Sequence, residues 1–265
     1  MNDSNDNEIW VFLSHSNKDY EKVIKVRDLL EKNSYRPLMF FLKCLNDDDE
    51  IDDLIKREID SRGRFILCDS ENARSSEWVK KEIEYIKRKN RIFQTIDIDA
   101  TVEDIQRQID QFHKRNSIFI SFNANSESDA AFAKSLKSYL KDMDFGVYMS
   151  QRFTREDDLE DLKQYHSITY SVVRHETIIL ILSEDWGCHE LKEIAAPLLE
   201  SLHDSQSRIY LCLMTDGWED VINQYFNPFF GNRSRIFDFN KKEMAEVNLL
   251  NVVNTIYNDI ASSNI

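Results

Sequence analysis

Ile9-Trp10-Val11-Phe12-Leu13 is the stretch on which the fold turns. Five consecutive apolar residues, too few for a helix and closed by Ser14-His15-Ser16-Asn17, describe a strand buried on both faces, as in a parallel sheet. Residues 18–31 change period: Tyr20, Val23, Ile24, Leu29 and Leu30 recur at helical spacing until Asn33-Ser34 breaks the run. This strand–loop–helix unit then repeats. Residues 38–42 form a second apolar strand that Pro37 leads into, and residues 51–62 a helix behind the acidic run Asn46-Asp47-Asp48-Asp49. Residues 64–68 read as a third strand, 69–76 as a polar loop, 77–89 as a helix, 91–96 as a fourth strand and 101–113 as a helix. Apolar strands alternating with amphipathic helices specify an α/β fold with an open parallel sheet covered on both faces.

At residue 117 the pattern starts again. Ser117-Ile118-Phe119-Ile120-Ser121-Phe122 restates the first strand, and residues 130–140 restate the first helix. Strands follow at 147–149, 177–182, 209–214 and 235–237, the last at an edge, with helices at 159–173, after Trp186, and at 244–260. Pro197 should kink or end the helix after Trp186. An internal repeat of roughly 110 residues is too long for a solenoid and means two copies of one domain. The expected division is 1–115 and 116–265, through the short charged linker Lys114-Arg115-Asn116.

Composition narrows the function classes. With 42% hydrophobic residues but only 5 Gly and 3 Pro, the chain can bury real cores and is not a loop-rich or repetitive protein. The net charge of −14 argues against attraction to nucleic acid or an anionic membrane. Residues 1–115 hold 25 acidic and 21 basic side chains, leaving 23 against 13 beyond them, so the excess lies in the second half. No apolar run nears the ~18 residues of a membrane span, and residues 1–8 lack a signal pattern, so a cytoplasmic protein is expected. Cys44, Cys68, Cys188 and Cys212 are far apart with no clustered His, which suggests reduced thiols and no metal site. The chain also lacks the glycine-rich loops of dinucleotide-redox and P-loop enzymes.

The chemistry is expected in Ser75-Ser76-Glu77-Trp78-Val79-Lys80-Lys81-Glu82-Ile83-Glu84. Residues four apart on a helix share a face, so Trp78 and Glu82 can converge on one ligand. In an open α/β sheet ligands bind beyond the carboxyl ends of the strands, where Ser14, His15 and the loop 69–76 also lie. A carboxylate beside an aromatic suits an oxocarbenium-like transition state; if the leaving group is cationic and departs neutral, no general acid is needed. A nicotinamide riboside bond is of that kind. On spacing alone such a pair is more often a core anchor and its solvated neighbour, and a lone His15 more often a strand-end hydrogen-bonding residue. Trp186 and Glu190 repeat the spacing in the second half.

Val11-Phe12-Leu13-Ser14-His15-Ser16 with Asp19, Arg36-Pro37-Leu38, Phe65-Ile66-Leu67-Cys68 and the Ser75 to Ile83 segment together resemble a bacterial Toll/interleukin-1 receptor (TIR) domain, over nearly all of residues 9–112. The second half resembles the family more loosely, through Phe119-Ile120-Ser121-Phe122, residues 177–183 and Trp186-Gly187-Cys188-His189-Glu190-Leu191. The resemblance implies two flavodoxin-like domains, each a parallel sheet of about five strands. It further implies a glutamate in the helix after the third strand that cleaves NAD+ as substrate without a cofactor, at Glu82 in the first copy and Glu190 in the second. Gly187 loosens the second copy's helix start, so Glu82 ranks first, with Ser14, His15 and Trp78 as substrate-binding residues. Enzymes of this kind serve antiphage defence, self-associate through TIR–TIR contacts and make products read by a downstream effector. The competing expectation is a non-enzymatic adaptor docking through residues 43–49; a secreted virulence factor is the third.

Overall fold

The computed structural model describes residues 9–39, 48–123, 126–149, 175–183, 207–218, 220, 222–223, 234–239 and 245–262. The expected helix at 159–173, the Trp186/Glu190 helix and residues 43–47 lie outside these. Two compact units result: Met1–Phe112 with Asn258–Ile265, and His113–Tyr257.

The first unit is built from β1 (Ile9–Ser14), α1 (Tyr20–Lys32), β2 (Tyr35–Met39), α2 (Asp48–Asp60), β3 (Arg64–Asp69), α3 (Glu71–Ser75), α4 (Glu77–Arg88), β4 (Ile92–Asp97) and α5 (Val102–Asn116). Its strands are parallel in the order β2-β1-β3-β4, four among the described residues where the resemblance implied about five. Side chains alternate across β1. Val11 and Leu13 pack with Val23, Val26 and Leu30 of α1 and Ile105, Ile109 and Phe112 of α5. Phe12 points the other way, against Phe65, Ile55 and Ile59 of α2 and Ile86 of α4. The Phe12 and Phe65 rings sit 5.9 Å apart, and truncating either to Ala in so closed a layer costs about 3–5 kcal/mol.

Three sequence expectations are corrected. β2 begins at Tyr35, three residues early, and Pro37 lies inside it opposite Val11. The sheet tolerates a missing N–H there because β2 is an edge strand. The polar loop 69–76 contains α3, started by the Ser70 hydroxyl, which accepts from the Ala73 amide at 3.0 Å. Lys114-Arg115-Asn116 is the last turn of α5, which runs three residues past the expected end at 113, and β5 starts at Ser117.

The second unit contains β5 (Ser117–Ser121), α6 (Glu127–Asp142), β6 (Gly146–Met149), β7 (Thr177–Leu182), β8 (Arg208–Leu213), β9 (Ser234–Asp238) and α7 (Ala245–Ala261), which crosses the division at Tyr257. Its five parallel strands run β6-β5-β7-β8-β9. All six residues of β7, Thr177-Ile178-Ile179-Leu180-Ile181-Leu182, are buried, as a central parallel strand requires. Both units stop their first helix alike. Ser34 (φ 63°) follows α1 and Asp144 (φ 59°) follows α6, and in each case a buried aromatic, Tyr35 or Phe145, comes next. With so few glycines in the chain, small polar residues take these left-handed positions. Cys68 and Cys212 are free and buried, and burial pushes the Cys68 thiol up to about 12.

Candidate active site

α4 opens at Ser76, whose hydroxyl accepts from the Val79 amide at 3.4 Å, and Glu77 adds negative charge at the positive end of the helix. Val79 and Ile86 anchor the helix to the core. That anchoring aims Trp78 and Glu82, one turn apart, along a neighbouring face. Trp78 packs partly against the Phe12–Ile59 layer, and the Lys81 ammonium lies 4.8 Å from its ring centroid. A cleft between α2 and α4 is lined by Ile55, Ile59, Trp78, Lys81, Glu82 and Arg88. Trp78 therefore shapes a wall, with one face of the indole covered by a cation.

Glu82 lines the same cleft and receives a hydrogen bond from the Ser14 hydroxyl across 68 residues of sequence. β1 explains the meeting. Ser14 continues the face that carries Phe12, so it stands at the carboxyl end of an inner strand, directed at α4. Burial raises the Glu82 carboxyl to about 7, and the Ser14 hydrogen bond opposes that rise. A carboxylate so placed is near half-ionised at neutral pH.

His15 is held differently. Its Nδ1 is 3.0 Å from the Leu13 carbonyl, to which it donates, and burial lowers its pKa against a smaller opposing effect of that bond and of Asp19. Asp19 is itself buried at 3% exposure and accepts from the Ser70 hydroxyl at 2.6 Å and the Asn72 amide at 2.8 Å. The structure thus joins Ser14, Glu82 and Trp78, and puts His15 beside a second cluster that fastens the β3–α3 turn to the start of α1. Residue-by-residue reading of the sequence missed this cluster; the spacing of Ser16 and Asp19, a capping-type signature, was the available signal. The second unit has a counterpart in buried Asp129, which accepts from Ser183 at 2.6 Å behind the cap residue Ser126. Glu190 and Trp186 fall outside the described residues.

Residues 11–115 match the family model described as TIR domain. This stretch is a TIR domain. It holds Ser14, His15, Trp78 and Glu82 within one matched segment. No curated protein matches the chain. Among solved structures, a diflavin flavoprotein from Nostoc sp. is similar at 11% identity and TM-score 0.39, over 56% of this chain and 93% of that one. An SsGBP variant is similar at 12% identity and TM-score 0.33, over 94% and 98%. A LacI family transcriptional regulator from Arthrobacter sp. in complex with lactose follows at 10% identity and TM-score 0.27, over 97% and 91%. Among the described residues of the TIR domain and beyond it, no His/Cys/Asp/Glu group has the makings of a metal site, and no helix is long and apolar enough to cross a membrane.

Proposed function

We propose that this chain is a TIR-domain NAD+ glycohydrolase or ADP-ribosyl cyclase. The C1′–N bond of the nicotinamide riboside breaks, its electron pair leaves with the nicotinamide, and the ribosyl cation is met by the Glu82 carboxylate. Water or the substrate's own adenine then closes the reaction, giving linear or cyclic ADP-ribose. The observation that carries this reading is the Ser14–Glu82 hydrogen bond, which fixes a desolvated carboxylate beside Trp78 at the carboxyl end of the sheet. A low-dielectric anion aimed at a developing cation is worth several kcal/mol of barrier without any metal or cofactor. Because pyridinium leaves neutral, the single carboxylate suffices.

The setting that suits this activity is bacterial antiphage signalling in the cytoplasm, with the product read by a downstream effector. We assign residues 116–265 as a second, more divergent TIR-like copy. In support, β6-β5-β7-β8 repeats the order β2-β1-β3-β4, Ser183–Asp129 repeats Ser70–Asp19, and Ser121 stands at the end of β5 as Ser14 does at the end of β1. Self-association of such copies is the expected mode of assembly. The test is incubation of the purified chain with NAD+ and separation of products by mass spectrometry. Release of nicotinamide with an ADP-ribose species supports the reading; intact NAD+ under conditions that favour self-association contradicts it.

A further inference from the structure

We infer that Ser14 is the positioning residue of the Glu82 carboxylate, holding one oxygen so that the other is presented to the cleft. The inference rests on the reading of Glu82 as the catalytic anion and concerns how that anion is held.

On the α4-facing side of β1, Phe12 is followed by Ser14, so a hydroxyl occupies a place where the strand's pattern would continue with an apolar residue. That hydroxyl is 1% exposed and donates to Glu82 Oε2. A buried hydroxyl without a partner is costly, and a hydrogen bond to a carboxylate is roughly twice as strong as a neutral one. The strand is an inner one, paired to β2 and to β3, with Ser14 opposite Leu67, so the hydroxyl cannot drift with a loop. Glu82 has one rotatable arm on a helix and one fixed point on the sheet. Loss of the fixed point frees the carboxylate to rotate, and misplacement of about 1 Å can cost ~100-fold in rate.

The same contact governs ionisation. Burial and the Ser14 bond act in opposite directions on Glu82. Removing the hydroxyl leaves burial unopposed, so the carboxyl holds its proton to higher pH.

The test is the pH profile of kcat/KM for NAD+ with full-length wild type, Ser14→Ala, Ser14→Cys and Ser14→Thr, together with carbon-13 NMR titration of Glu82, assigned by its loss in Glu82→Gln. We expect the acid limb and the Glu82 titration to move to higher pH in Ser14→Ala, less in Ser14→Cys, and to return in Ser14→Thr. At pH 6 the rate of Ser14→Ala falls about 10-fold or more, a charged hydrogen bond being worth at least that factor, and by pH 9 the ionisation part of the loss disappears. A higher KM with an unmoved acid limb and unmoved titration would assign Ser14 to substrate binding and overturn the inference. If Ser14→Ala does not fold, an unshifted Ser14→Cys overturns it equally. A shifted titration in a protein whose wild type leaves NAD+ intact would uphold the Ser14–Glu82 coupling and remove only the proposed reaction.

Discussion

The Ser70 hydroxyl donates to the Asp19 carboxylate at 2.6 Å, tying the turn after β3 to the start of α1, and Ser183 makes the same bond to Asp129 in the second unit. Asp19 also takes the Asn72 amide. Asp19→Ala strands both donors in a nearly closed site and should cost about 1–3 kcal/mol. Ser70→Ala should cost a similar amount, because it removes the α3 cap as well. Urea unfolding of the single and double variants checks this. The double should be less destabilised than the summed singles, since they share one bond.

Glu82 sets a pH dependence of stability. Its folded-state pKa of about 7 lies above the ordinary value of 4.5, so the folded chain holds this proton more tightly than the unfolded one. The stability from that proton is complete below about pH 4.5 and is lost as pH rises through 7. Glu82→Gln carries no charge to bury and can still accept from Ser14. It should melt higher than wild type at pH 8, by up to about 3 kcal/mol, with the advantage fading toward pH 5. Calorimetry at the two pH values decides; an equal advantage at both would refute the buried charge.

The same ionisation should appear in catalysis. Only the carboxylate form faces a developing cation usefully, so kcat/KM for NAD+ should rise about tenfold per pH unit below 7 and level off above it. A profile flat from pH 5 to 8 would mean that Glu82 is not the group whose charge matters.

Trp78 lines the cleft with its indole while Lys81 covers one face of the ring. Trp78→Phe keeps an aromatic wall and should retain most activity; Trp78→Ala opens the cleft and removes packing against Ile59 and its neighbours. We expect the Ala variant to lose ~10-fold or more in kcat/KM and a few kcal/mol of stability. Steady-state kinetics with parallel thermal melts separates the two effects.

The sheets were legible in the sequence because their signal is periodic. The β1 run, the restart at Ser117 and the five apolar residues after Thr177 in β7 were each read as a strand, and each formed one. Boundaries were lost where a local rule met a tertiary one: Pro37 looked like the threshold of a strand but sits inside an edge strand, and α3 was too short to show a helical period. Within the site, Trp78 and Glu82 were visible because one helix turn relates them. The Ser14–Glu82 and Ser70–Asp19 contacts span 68 and 51 residues, and only strand register brings their ends together. Ser14 was expected among the site residues from its place at the strand end, but not its hydrogen bond to Glu82. No spacing rule reaches that far.

Glu190 offers a comparison from sequence. In the helix that the sequence predicts after Trp186, Gly187 would cost roughly 0.5–1 kcal/mol relative to Ala and loosen the turn that aims the carboxylate. Glu190→Gln should therefore leave most NAD+ turnover intact, measured beside Glu82→Gln under the same conditions. Equal loss in both would give Glu190 a part in turnover equal to that of Glu82.

The most direct measurement is the initial rate of nicotinamide release from NAD+ by Glu82→Gln against wild type, with circular dichroism confirming that both are folded. Removing the charge while keeping the shape and the Ser14 bond should cost a few kcal/mol of transition-state stabilisation, ~100-fold or more in rate. A folded Glu82→Gln protein that releases nicotinamide as fast as wild type would contradict the account.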